Sequence, residues 1–420
     1  MSTGDSPDTW TAVVIYSSNC ACPSTISIAR PPVVSVLVAL YRESGIAARL
    51  VRRLGRLDWP RDRLDILLVV EDDDRATRAA LDRPDLPDWM RVLVVPPGTL
   101  KTKPRALNYA LDFCRGSIVG IYDAEDAPEP DQIRKVVARF HARPRAVACL
   151  QGVLAFYNPR TNRLSRCFTV DYAAWFQVML PGLDRMGLPV PLGGTTVFFR
   201  REVLEEVGAW DAHNVTEDAD LGVRLARRGY RTELIDSVTF EEANCHVIPW
   251  IRQRSRWLKG YMMTWAVHMR APVLLWRQLG PRGFLGFQAL FLGTIAQLLL
   301  APLILSCWVA GLGAGHPLAL VLPAWGMGLL VGTCLLAEAV TLFVNGLGLR
   351  RSGQPVGMGT LPLMHVYGPL AALAAWRGLW DLARRPFHWD KTAHGLHQPR
   401  PAPAARAGAR AAPSAFRRTG

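Results

Sequence analysis

Residues 283–337 form a run of 55 positions without a single Asp, Glu, Lys or Arg. Buried helices of water-soluble domains rarely stay uncharged for so long, and a helix that crosses a bilayer needs roughly 20 apolar residues. The run is read as two spans, parted near residues 311–317 where glycine and proline interrupt it. The second span passes Glu338, reaches about Leu349 and is followed by Arg350-Arg351. Cationic flanks mark the cytoplasmic side, so the domain that precedes the spans is expected there too.

The net charge is +14, and arginine carries most of it, since lysine stands only at 101, 103, 135, 259 and 391. Such a balance suits nucleic acid, anionic lipid or an anionic substrate. No Lys/Arg run interleaves with aromatics as a nucleic-acid channel requires, so nucleic acid is excluded and membrane and diphosphate partners are favoured. The eight cysteines include no CxxC pair, which argues against structural zinc and a disulfide framework. Residues 1–30 lack the basic start and apolar core of a secretory signal and read as disordered.

Residues 31–249 alternate short apolar runs with helix-like periods. Strands are expected at 33–40, 66–70, 91–95 and 117–122, and helices at 103–113 and 131–142. Continuously apolar strands alternating with helices predict an α/β domain with a mainly parallel sheet covered on both faces. Ligands of such sheets sit beyond the carboxyl ends of the strands. Glu71-Asp-Asp-Asp74 follows the second strand and Asp123-Ala-Glu-Asp126 follows the fourth, so two acidic clusters fall where a ligand is expected.

From 250 to 282, Trp, Met and Tyr mix with Arg, Lys and His, which predicts helices lying in the membrane interface. Residues 356–380 are apolar enough to span but are interrupted by Pro362, Gly368-Pro369 and Arg377. They are read as an interfacial helix or a third span. The Ala/Pro/Arg-rich residues 399–420 read as a disordered basic tail on the cytoplasmic side.

Three clusters carry chemistry. Breaking a sugar–diphosphate bond leaves charge on the departing oxygen, and a divalent cation (Mg²⁺ or Mn²⁺) held by one or two carboxylates neutralises it. Asp123 and Glu125 alternate on an extended segment and can share one face, with Asp126 a competing ligand. The bland alternative is an N-cap cluster for the following helix. Lys103 lies where a cation can reach the diphosphate. An acceptor hydroxyl must lose a proton as it attacks, and a carboxylate is the usual base. Asp218 of Thr216-Glu-Asp218 is assigned that role, with Thr216 expected to cap the helix that follows. The alternative is a capping box without catalysis. In Gln253-Arg-Ser-Arg-Trp257, Arg256 suits diphosphate oxygens and Trp257 offers an apolar face to an acceptor sugar. An interface helix with a snorkelling arginine is the alternative.

With these clusters in this order, the chain resembles the membrane-bound family 2 glycosyltransferases of the cellulose-synthase-like superfamily, and most of all a bacterial cellulose-synthase-like subgroup. Further matching segments are Thr102-Lys-Pro-Arg-Ala-Leu-Asn108, Pro191-Leu-Gly-Gly-Thr195 and Pro386-Phe-His-Trp-Asp-Lys-Thr-Ala-His-Gly395. The resemblance implies a GT-A catalytic domain (Rossmann-like, with a mainly parallel mixed sheet) over 31–249. It implies an inverting, metal-dependent transfer, commonly from a UDP-sugar, to a glycan or lipid-linked acceptor at the inner membrane, in polysaccharide synthesis. It places Glu43, Asp73, Lys103, Asp123, Gln253 and Arg256 at the nucleotide-sugar, and Trp257 and Glu217 at the acceptor. Trp389, Lys391 and Thr392, within 381–398, fall where cellulose synthases carry a gating loop. Two or three spans are few for a polymer channel, so export would need a partner subunit or an oligomer. The competing expectation is a catalytically silent subunit of an export complex.

Overall fold

A computed structural model of the protein describes residues 30–311 and 316–386. The expectations for residues 1–29 and for the basic tail, and those for Trp389, Lys391 and Thr392, lie outside the described residues.

Eight strands form one sheet: β1 (Val34–Leu40), β2 (Leu64–Glu71), β3 (Met90–Val95), β4 (Ile118–Tyr122), β5 (Ala127–Pro128), β6 (Val147–Phe156), β7 (Val197–Arg200) and β8 (Arg231–Glu241), in spatial order β3-β2-β1-β4-β7-β6-β8-β5. The four strands read from the sequence pair in parallel, β1 lying between β2 and β4. β7 is inserted antiparallel between β4 and β6, and β6 pairs parallel with β8. The sheet is thus mixed but mainly parallel.

The apolar runs are long because both faces are covered. Val36, Val38, Ile66 and Leu68 enter one core with Ile133, Val136 and Phe140, while the intervening Leu37, Leu67 and Val69 enter a second core with Leu107, Ala110 and Leu111. Period-two alternation delivers successive side chains to opposite faces, so each needs its own apolar layer. Strand order turns back between β1 and β4, the switch point at which α/β sheets open a ligand crevice. Glu43 lies just beyond β1, and Asp123 follows the last residue of β4.

Helices used below are α1 (Lys103–Leu111), α2 (Arg163–Ala174), α3 (Glu217–Arg227), α4 (Val247–His268), α5 (Pro272–Leu299), α6 (Ala301–Gly311), α7 (Ala324–Ser352) and α8 (Met364–Arg384). Among the described residues α5 and α7 are the two that are long and apolar enough to cross a membrane. The uncharged run is divided differently from the sequence expectation. Its first long helix starts at Pro272, is kinked at Gly280 and ends at Leu299, and a separate helix begins at Ala301, with Pro302 in its first turn. A proline that cannot donate is tolerated in a first turn and breaks a helix elsewhere.

The foot of α7 is seated on the globular domain. A Cβ at Gly348 would lie 2.6 Å from the backbone N and Cα of Ala174. Arg351 donates to the Gln177 carbonyl at 3.3 Å. The Arg350-Arg351 end and the sheet domain therefore share one side of the apolar helices. The ambiguous segment 356–380 is mostly α8, which lies on α4. Ala374 and Ala375 are buried there, and a Cβ at Gly378 would lie 2.9 Å from the Ser255 carbonyl oxygen.

Candidate active site

Beyond the β1/β4 switch point lies a cavity of about 620 Å³. Its lining includes Glu43, Lys103, Asp123, Glu125, Glu217, Asp218, Gln253, Arg256 and Trp257. These nine residues, spread from position 43 to 257, thus meet in one space. Asp73 stands at the edge, where Lys101, itself a lining residue, holds it at 2.5 Å.

Each side chain is placed by a local device. Thr102 precedes α1 in extended conformation and Pro104 stands in the first turn, so Lys103 emerges at the start of the helix. Its ammonium binds Asp123 and donates to the Gly194 carbonyl at 2.7 Å. Burial disfavours that charge, but Asp123 and Glu217 outweigh it and hold the lysine above its ordinary pKa. Gly194 has φ +79°, a conformation that costs a side-chain-bearing residue, and a Cβ there would lie 2.8 Å from Asp218 Oδ2. Lys103, Asp123, the Gly194 backbone and Asp218 are therefore one contiguous group.

Asp126 does not share the cavity with Asp123 and Glu125. It is fully buried, accepts from the Asp123 N–H at 2.8 Å and accepts the Thr195 hydroxyl. Burial, then the charges of Asp123 and Glu125, push its carboxyl well above the ordinary aspartate range. Its Oδ1 is buried without a hydrogen-bond partner. Asp126 and Thr195 fix the turn that presents Asp123.

Asp218 opens α3 and accepts from the Ala219 N–H at 2.8 Å. Burial raises its pKa, against that hydrogen bond and the charge of Lys103. Glu217 is pushed up to about 7, by burial first and by the charge of Asp218 second. Thr216 corrects the capping expectation: its side chain makes no cap hydrogen bond, and its hydroxyl is buried without a partner. It is turned instead against α4, where a Cβ at Gly260 would come 2.1 Å from Thr216 Oγ1. A second brace joins α3 to α4. Asp220 binds Arg224 at 2.6 Å and His268 Nε2 at 3.0 Å, while Arg227 contacts His268 Nδ1 at 2.8 Å. His268 thereby braces the two helices.

On α4, Gln253, Arg254, Arg256 and Trp257 all line the cavity. Arg254 pairs with Asp171 and sits 5.3 Å from the Trp257 ring, which stiffens the indole. Four contributors were not singled out from the sequence for a role: Gln151, Gly194, Thr195 and Glu241. Gln151 accepts from the Gly193 N–H at 2.8 Å and so shapes the glycine loop. Glu241 ends β8, lines the cavity, and has its pKa raised by burial and by Asp126, Glu125 and Asp123. The Gly-Gly-Thr run carried a readable signal, since paired glycines mark close backbone approach. Glu241 gave none, because its relation to Asp123 depends on β8 pairing with β5.

The donor set fits a divalent cation. Asp123 and Glu125 face the cavity, and their charges help to raise the pKa of the neighbouring Asp126 and Glu241. No three His, Cys, Asp or Glu side chains form a complete cage among the described residues. One or two carboxylates completed by substrate phosphate and water is the usual arrangement for Mg²⁺.

The fold is shared with a mannosyltransferase of Pyrobaculum calidifontis solved with GDP-Man and Mn²⁺. The TM-score is 0.56 at 20% identity, over 84% of this chain and 88% of that one. The family model described as glycosyl transferase family group 2 matches residues 118–340, and the chain belongs to that family. Its catalytic-domain fold is the GT-A type of glycosyltransferases. Among relatives, a probable glycosyltransferase YdaM of Bacillus subtilis (strain 168) is 26% identical over 232 residues, 54% of this chain and 55% of that protein. The beta-monoglucosyldiacylglycerol synthase of Synechocystis sp. is 29% identical over 381 residues, 87% of this chain and 75% of that protein. The chain thus spans only about half the length of the Bacillus relative.

Proposed function

We propose that this protein is an inverting, metal-dependent glycosyltransferase. It moves a sugar from a nucleotide-sugar, a UDP-sugar in the first instance, to a glycan or lipid-linked acceptor at the inner membrane. The carrying observation is the contiguity of Lys103, Asp123, Gly194 and Asp218 in a cavity roofed by Arg256 and Trp257. Glu43 and Asp73 take the nucleoside end, and Gln253 and Arg256 the diphosphate. Trp257 and Glu217 take the acceptor. A cation held by Asp123 and Glu125 would neutralise the departing diphosphate. Asp126 acts as a positioning residue for Asp123.

In the transfer, the acceptor oxygen attacks the anomeric carbon as its proton passes to Asp218. The bond from that carbon to the diphosphate oxygen breaks, and its electron pair stays on the diphosphate. Lys103 and Arg256 receive the charge that develops there. One displacement inverts the anomeric centre. A carboxylate whose pKa is raised by burial is a stronger base near neutral pH than an exposed aspartate.

Membrane residence has its own support. The most apolar window of α7 has mean hydropathy 2.0 and is 0% buried in the protein, while Leu336 and Phe343 are 66% and 69% exposed. Monomeric soluble surfaces rarely carry an apolar face of that extent. The Arg350-Arg351 end, read by the positive-inside rule, supports a cytoplasmic catalytic domain. The cellulose-synthase-like subgroup, a place in polysaccharide synthesis and assembly with export subunits belong to the same proposal.

The test is Asp218→Asn, assayed for transfer and for nucleotide binding by calorimetry. Binding is expected to persist while transfer falls by more than about 100-fold, the effect of deleting a general base. Near-normal transfer would reduce Asp218 to an ordinary helix-start residue.

A further inference from the structure

The cavity that holds Asp218 does not end at the sheet domain. It continues among the apolar helices, where its lining includes Thr294 and Gln297 of α5, Glu338, Thr341 and Asn345 of α7, and His365 of α8. Glu338 is the sole Asp, Glu, Lys or Arg between positions 283 and 349. Its carboxylate lies 2.9 Å from His365 Nε2. Positions 338, 341 and 345 stand at i, i+3 and i+7, one stripe of α7, and 294 and 297 at i and i+3 on α5. The neighbouring Leu336, Val340 and Phe343 are exposed and apolar. The helix therefore turns a polar stripe to the cavity and an apolar face outward.

An ionisable group at bilayer depth is costly and is retained where it faces a cavity and does work there. Helix pairing alone would be served by alanine and glycine, as α8 on α4 shows. One cavity is lined both by this stripe and by the proposed base, so a ligand held at the stripe shares its space with Asp218.

Resting on the glycosyltransferase reading, we propose that the acceptor is a neutral lipid alcohol that arrives from the bilayer. Glu338 and His365 act as positioning residues that hydrogen-bond its hydroxyl head on the way to Asp218. A carboxylate accepts from hydroxyls and repels phosphate, so the head is uncharged. The apolar lining here, Leu298 of α5 and Ala301, Ile304 and Leu305 of α6, accommodates its chains.

The full-length protein is reconstituted in phosphatidylcholine vesicles. It is assayed with UDP-glucose, UDP-galactose and GDP-mannose, against dioleoylglycerol in the bilayer and cellobiose in water. Wild type glycosylates dioleoylglycerol. Glu338→Leu, compatible with a lipid-facing helix, raises KM for dioleoylglycerol at least about tenfold, with kcat at saturation within twofold, as expected for a lost hydrogen bond to a charged group. Glu338→Gln, which keeps an accepting oxygen, falls between. A fall in kcat and thermal stability with KM unmoved assigns Glu338 to helix pairing and overturns the proposal. Glycosylation of cellobiose but not dioleoylglycerol overturns it too. Release of free sugar from a donor without transfer to dioleoylglycerol sinks this inference and leaves the parent reading standing, whereas no turnover of any donor sinks both.

Discussion

Replacing Gly260 by alanine tests the geometry that brings α3 and α4 together. Helix propensity alone favours the change, since alanine is better than glycine in a helix interior by about 1 kcal/mol. The structure gives the opposite sign. The new Cβ would lie 2.1 Å from Thr216 Oγ1, 2.4 Å from its Cγ2 and 2.7 Å from its Cβ. Carbon atoms pack at about 3.5–4.0 Å, so the two helices must part by about 1 Å. Thr216 cannot swing away cheaply, being β-branched, buried and adjacent to the first residue of α3. Overpacking of this kind costs about 1–3 kcal/mol. In a domain of this size each kcal/mol lowers Tm by about 2–4 °C. The same shift moves Arg256 and Trp257 away from Glu217 and Asp218, and a 1 Å misplacement costs about 100-fold in rate. Scanning fluorimetry in detergent and steady-state transfer assays measure both. Adding Thr216→Gly removes all three clashing atoms, so the double variant should recover most of the loss, a coupling that independent sites would not show. Gly260→Ala with raised Tm and unchanged kcat would refute the claim that this contact sets the spacing of the site.

Three further outcomes follow from the same site. Glu217 holds a proton up to pH about 7 in the folded protein, against an ordinary glutamate value of 4.5. The unfolded chain releases that proton first as pH rises. The stability of the ligand-free protein therefore declines between the ordinary value of 4.5 and pH about 7, by on the order of 3 kcal/mol in all. Glu217→Gln flattens that profile in Tm measured against pH, and a stability that rises across the window contradicts the assignment. Chelation of divalent cations abolishes transfer and added Mn²⁺ or Mg²⁺ restores it; Asp123→Asn lowers transfer by about 100-fold or more at any cation concentration in the assay. Gly348→Ala drives a Cβ into the backbone of Ala174 and lowers Tm by several degrees, as overpacking against an immovable backbone requires.

The parts of the fold that depend on local pattern were legible in the sequence. β4 reads as a short β-branched run, and Asp123 stands directly after it because the strand, not a loop, delivers it. α1 starts where Lys103-Pro104 predicts. What escaped depends on contacts between distant segments. Asp126 stands beside Asp123 in the sequence, but its burial against the Thr195 hydroxyl, 69 residues away, is not written there. Thr216 has the composition of a cap, but Gly260 draws its side chain to another helix. Glu338 stands out in sequence as a lone charge in an apolar run, while its pairing with His365 needs the two helices side by side.

The glycine seat of α7 on Ala174 also sets the dimensionality of the encounter. On the proposed membrane placement, a helix seated this closely on the globular body would hold the crevice at a fixed depth relative to the lipid. For a reactant dissolved in the bilayer, turnover then follows its mole fraction among the lipids rather than its amount per volume of solution, so diluting the vesicles at constant lipid composition leaves the rate per enzyme unchanged.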